Sequence, residues 1–146
     1  MNADLCSSVG LREMPARGVF TPDPPLPLDG RRVLIVEDEY LIAMEVKRWL
    51  QHAGAKVVGP VPTVQRALDL IEDDGIDAAV LDLNLGDKAT ALPIADRLSA
   101  LGVPYLFATG DVQLGQGSGY EDRLRLEKPF VEAELVRAVG KLVAPA

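Results

Sequence analysis

From Arg31 onward, apolar and polar residues fall into alternating blocks. Arg32–Val36 (RVLIV) is a short, β-branched run bounded by charges, the pattern of a strand covered on both faces. Tyr40–Ala53 follows, with Ile42, Val46, Trp49, Leu50 and Ala53 at spacings of three and four. That spacing predicts a helix with one buried face, ended by Gly54. Ala55–Val61 (AKVVGPV) reads as a second strand. Thr63 is a capping residue for a helix running to about Asp74, with Val64, Ala67, Leu68 and Ile71 on one side, and Gly75 stops it. Ile76–Leu81 (IDAAVL) reads as a third strand. Thr90–Leu101 reads as a helix with Pro93 in its first turn, where a missing N–H costs little. Pro104–Ala108 and Arg123–Leu126 read as the fourth and fifth strands. Val131–Val143 closes the series as a helix with Leu135, Val139 and Leu142 at core spacing. Strands alternating with helices predict an α/β domain built on a parallel sheet.

Two stretches break the alternation. Five of the 11 prolines fall within residues 1–30, and Thr21–Leu28 (TPDPPLPL) lacks the N–H groups for a regular ladder. The expectation is a flexible, proline-rich extension over residues 1–30 and a single domain over 31–146. Gly110–Gly119 (GDVQLGQGSG) has glycine at four of its ten positions. Each glycine costs roughly 1 kcal/mol in a helix relative to alanine, so the helix between strands four and five should be short or missing.

Composition narrows the function classes. The 146 residues carry 22 Asp+Glu against 15 Lys+Arg, a net charge of -7, and no basic stripe, which argues against a nucleic-acid partner. No run approaches the roughly 18 apolar residues that a membrane span requires, and the N-terminus does not read as a secretory signal. No membrane partner is expected, and the location expected is cytoplasmic. One cysteine, Cys6, cannot form an internal disulfide, and one histidine, His52, excludes a two-histidine metal site. His52 falls in the last turn of the first helix, where a dipole contact suits it better than chemistry.

The candidate chemistry lies at the strand ends. In open parallel sheets, ligands bind beyond the carboxyl ends of the strands. The first strand runs into Glu37, Asp38 and Glu39; the third ends at Asp82, the fourth at Thr109 and the fifth at Lys128. Carboxylates, a hydroxyl and an amine around one pocket suit a divalent cation and a phosphoryl group. A hard cation such as Mg²⁺ relieves carboxylate crowding. A lysine and a threonine hydroxyl can contact phosphoryl oxygens. Taken singly, Glu37 or Asp38 could be a solvated loop charge, Asp82 a turn cap and Lys128 a surface lysine. Glu39 reads as a charge favourable to the helix dipole and not as a ligand.

With LIVEDE (Glu37–Asp38), VLDLNL (Asp82), FATG (Thr109) and KPF (Lys128–Pro129–Phe130), the chain from about Arg31 to Val143 resembles the receiver domain of bacterial two-component response regulators. That resemblance implies a doubly wound, five-stranded parallel sheet flanked by helices, flavodoxin-like and CheY-like. It implies that Asp82 is the phosphorylation site and that Mg²⁺ is held by Glu37, Asp38, Asp82 and Asn84. It implies catalytic roles for Thr109 and Lys128, and a cis peptide at Lys128–Pro129. FATG followed by a glycine-rich segment further resembles the stand-alone FAT GUY receivers, which work with histidine kinases of the HWE type. Asp111–Val112 and Arg125 depart from the usual residues at their positions.

The function expected is that of a single-domain response regulator in a phosphorelay. It accepts a phosphoryl group from a sensor histidine kinase and catalyses only its own phosphorylation and dephosphorylation. Ala144–Ala146 alone follow the last expected helix, so output is expected through contact with a downstream protein or as a phosphate sink. The competing reading is a Mg²⁺-dependent phosphohydrolase with an aspartyl nucleophile. Such enzymes place an Asp-x-Asp pair after the first strand, whereas here Asp82-Leu83-Asn84 follows the third. A flavodoxin-like cofactor binder would need a phosphate loop after the first strand, and LIVEDEY is acidic.

Overall fold

The structure is a computed structural model in which residues 26–86, 89–110 and 124–144 are described. The strands are β1 (Arg32–Val36), β2 (Lys56–Val61), β3 (Ala78–Leu81), β4 (Tyr105–Thr109) and β5 (Arg125–Glu127). The helices among the described residues are α1 (Tyr40–His52), α2 (Val64–Asp73), α3 (Leu92–Ala100) and α4 (Glu132–Val143). All strand pairs are parallel, in the order β2-β1-β3-β4-β5. The expected doubly wound α/β architecture is present. The segment expected to lack a full helix, Gly110–Gly119, lies outside the described residues beyond Gly110.

Period-two alternation along the strands divides the core into two layers. Leu34 and Val36 of β1, with Ala79 and Leu81 of β3, pack with Ala67 and Ile71 of α2 and with Ile94 and Leu98 of α3. Val33 and Ile35 of β1, with Val80 of β3, pack with Val46 and Leu50 of α1 and with Leu135 and Val139 of α4. Covered on both faces, β3 is buried throughout. Trp49 is half-buried and meets Phe130 edge-on, ring centroids 6.2 Å apart. No helix among the described residues is long and apolar enough to cross a membrane.

Several boundaries differ from the sequence pattern, each for a local reason. Thr63 caps α2 as expected, its Oγ1 accepting from Arg66 N at 3.3 Å. Thr90 does not begin α3. It forms an isolated bridge with Asn84, and its Oγ1 accepts from Leu92 N at 3.4 Å. β3 starts at Ala78, after Asp77, whose carboxylate accepts from Arg32 N at 2.9 Å. β5 covers Arg125–Glu127 at the sheet edge, and Arg123 lies outside the described residues.

The N-terminal boundary also moves. Residues 1–25 lie outside the described residues, but Leu26–Gly30 belong to the fold. Leu28 is fully buried in the α1–α4 layer, and its N–H donates to Ala53 O at 2.8 Å. Gly30 N donates to Gly54 O at 3.1 Å. Gly54 has φ +98°, and a Cβ there would lie 2.9 Å from the Asp29 Cα, so glycine is required twice over. Proline's missing N–H does not exclude such packing, because the anchor needs few backbone bonds and one apolar side chain. At the far end of α1, His52 meets a side chain: its Nδ1 lies 3.3 Å from Glu132 Oε2.

Candidate functional site

The sheet order places β1 beside β3, with Val36 opposite Leu81. The residues that follow them, Glu37 and Asp82, therefore emerge side by side at the carboxyl edge, where the strand order reverses. Backbone bonds fix both: Glu37 N donates to Val61 O at 3.0 Å and Asp82 N to Val36 O at 2.9 Å. Thr109 ends β4, and its carbonyl accepts from Lys128 N at 3.1 Å, which sets the lysine just beyond β5. The Lys128–Pro129 peptide is cis, as the resemblance implies.

Glu37, Asp82 and Thr109 are the buried polar side chains among the described residues. All three lie at the same sheet edge, where buried polar groups need partners. Lys128 Nζ supplies one, 2.9 Å from Glu37 Oε1 and 3.2 Å from Asp82 Oδ2. The other Glu37 oxygen accepts from Glu39 N at 3.2 Å, and Asp82 Oδ1 accepts from Asn84 N at 3.3 Å. A pocket of about 500 Å³ opens over this edge, lined by Asp38, Glu39, Asp82, Asn84, Gly86, Thr109, Gly110 and Lys128.

Every site residue named from sequence falls here: Glu37, Asp38, Asp82, Asn84, Thr109 and Lys128. Their placements differ. Carboxylate oxygens of Glu37, Glu39 and Asp82 lie within 4.8 Å of one another. Asp38 is exposed and lines the pocket from the side of Gly86, where a Cβ would come within 3.2 Å of Asp38 Oδ2. Gly86 has φ +78° and was not apparent as a site residue in the sequence; its place in VLDLNLG, just after the acidic turn, was the available signal. Glu39 was expected to serve only the helix dipole. Its backbone is the N-cap of α1, but its side chain makes no capping bond and joins the acid cluster instead.

The electrostatics follow from this crowding. Burial pushes the Glu37 carboxyl up, the hydrogen bond and charge of Asp82 push it further, and Lys128 only partly compensates, leaving it at about 7. For Lys128, burial works against the charged form, but the hydrogen bond and charge of Glu37, followed by Asp82, outweigh it and hold the ammonium above its ordinary value. One lysine thus faces three carboxylates, and Glu37 takes up a proton readily. An all-oxygen donor set of this kind fits a hard divalent cation, which would replace that proton and satisfy the remaining lone pairs.

Residues 33–140 match the family described as the response regulator receiver domain. Over 119 residues the chain is 31% identical to the transcriptional regulatory protein PdtaR of Mycobacterium tuberculosis, a match covering 78% of this chain and 57% of that protein. The chain thus spans little more than half the length of this relative. The solution structure of SdrG from Sphingomonas melonis Fr1 is similar at TM-score 0.68 and 41% identity, covering 81% of this chain and 98% of that one. The solution structure of the BeF3-activated conformation of SdrG from Pseudomonas melonis Fr1 is similar at TM-score 0.65 and 43% identity, covering 77% and 96%. With the acids, hydroxyl and lysine at the strand ends where the motifs put them, the chain belongs to the response regulator receiver domains of two-component signalling.

Proposed function

We propose that the chain accepts a phosphoryl group on Asp82 from a sensor histidine kinase and signals through contact with a downstream protein or by draining phosphate from that kinase. The observation that carries this reading is the setting of Asp82. It is a buried carboxylate at the floor of an open pocket, with one oxygen held by Lys128 Nζ and the other by Asn84 N. In the reaction an Asp82 oxygen forms a bond to the phosphorus of a phosphohistidine. The phosphorus–nitrogen bond breaks, and the imidazole leaves with the electron pair. Lys128, already turned toward Asp82, is placed to neutralise charge on the transferred group, and Thr109 lines the same pocket. Mg²⁺, held by Glu37, Asp38, Asp82 and the Asn84 carbonyl, would supply the rest of the charge neutralisation.

The activated SdrG structure supports the reading, since its named ligand is a beryllofluoride and its sequence is 43% identical. The chain's catalysis is confined to its own phosphorylation and dephosphorylation, and its setting is the cytoplasm. Phe107–Gly110 (FATG) supports placement among the FAT GUY receivers and an HWE-type kinase as donor. The test is intact mass after incubation with a phosphodonor and Mg²⁺. The wild type should gain one phosphoryl group and Asp82→Asn none; equal labelling of both would sink the assignment.

A further inference from the structure

Glu39 differs from the other acids at the sheet edge. A carboxylate at an N-cap ordinarily accepts from the free N–H groups of the first helical turn. Glu39 makes no such bond. Its Oε1 lies 3.8 Å from Lys128 Nζ, and its carboxylate lies among those of Glu37 and Asp82. The Glu39 side chain is 64% exposed, against 5% for Glu37 and 7% for Asp82. It lines the pocket that reaches Asp82. Glu39 is therefore a solvent-facing negative charge at the mouth of the pocket, in front of a buried nucleophile.

We infer that Glu39 is a specificity-determining residue whose charge disfavours dianionic acyl phosphates relative to monoanionic phosphoramidate as phosphodonors. The inference rests on Asp82 being the acceptor. With an acyl phosphate, Asp82 bonds to phosphorus, the phosphorus–oxygen bond to the acyl group breaks, and a carboxylate leaves with the electron pair. With phosphoramidate, the phosphorus–nitrogen bond breaks, and the nitrogen, already protonated, leaves as ammonia. Both donors react at the same atom in the same pocket, so a packing defect at Glu39 would affect both alike. Coulomb energy scales with the product of charges. Removing the Glu39 charge should therefore change the logarithm of the rate more for the dianion than for the monoanion, whose protonated nitrogen offsets one of the phosphoryl charges.

Glu39→Gln keeps the size and removes the charge, while Glu39→Asp keeps the charge. Asp82 labelling is followed by intact mass with acetyl phosphate and with phosphoramidate, at saturating Mg²⁺ and over a range of salt. Glu39→Gln should react about three- to tenfold faster with acetyl phosphate and by a distinctly smaller factor with phosphoramidate. Added salt should bring the wild type toward the variant, and Glu39→Asp should stay near the wild type. Equal factors for the two donors, or an acetyl phosphate rate that does not rise, overturn the inference. A loss of Mg²⁺ affinity beyond about tenfold by calorimetry also overturns it, because Glu39 is then a metal ligand. No labelling of the wild type by either donor overturns the Asp82 assignment itself, and the inference with it.

Discussion

Replacing Glu37 with glutamine should remove most of the pH dependence of stability of the metal-free protein between about pH 5 and about pH 8. The Glu37 carboxyl sits at about 7 against an ordinary 4.5 because it is buried beside Asp82. A carboxyl raised in the folded state contributes stability that is fully present below its unfolded value and is lost as pH rises through its folded value. At about 1.4 kcal/mol for each tenfold change in proton affinity, this displacement sets a ceiling of about 3 kcal/mol. Sharing of the proton with Asp82 brings the expected loss to about 1–3 kcal/mol. Urea unfolding in a chelating buffer, extrapolated to water, measures it directly. The wild type should lose that amount from about pH 5 to about pH 8, and Glu37→Gln should match it at the lower pH and exceed it at the higher. Millimolar Mg²⁺ should stabilise the wild type more at the higher pH, where the carboxylates are free of protons. Parallel pH profiles for the two proteins in chelator would refute the argument, because the burial and crowding of Glu37 would then carry no cost.

Two further substitutions test other parts of the structure. Leu28→Ala should destabilise the fold by about 2–5 kcal/mol, read as a lower urea midpoint at an unchanged slope, since Leu28 is fully buried against α1. Asp38→Ala should leave the circular dichroism spectrum unchanged while weakening Mg²⁺ binding by at least about tenfold and abolishing labelling of Asp82; labelling at the wild-type rate would remove Asp38 from the metal site.

Much of the fold was legible because strands buried on both faces must be apolar throughout. Val33–Val36 and Ala78–Leu81 could not have been surface segments. Thr63 was legible as a cap because its hydroxyl precedes an amphipathic run. The site followed from the topology: parallel strands deliver their carboxyl ends to one edge, so Glu37, Asp82, Thr109 and Lys128 had to meet. What the pattern hid depends on single long-range contacts. Leu28 is an isolated apolar residue among prolines, and only the Ala53 carbonyl and the groove beside it give it a place. Glu39 occupies a helix start, where local rules assign a carboxylate to backbone N–H groups. Instead its carboxylate turns toward Lys128, which lies just beyond β5 far along the chain, at 3.8 Å. β5, with only its middle residue partly covered, has too little periodicity to mark its own ends.

Trp49 is the only tryptophan in the chain, and it rests edge-on against Phe130, two residues beyond the lysine that grips Asp82. The protein therefore carries a built-in optical reporter at a known place. Its emission comes from a single indole at the seam between α1 and the turn leading into α4, where Lys128 and Pro129 line the same groove of about 480 Å³. A change in that seam can be followed in solution without any added dye, through indole emission excited to the red of the three tyrosines.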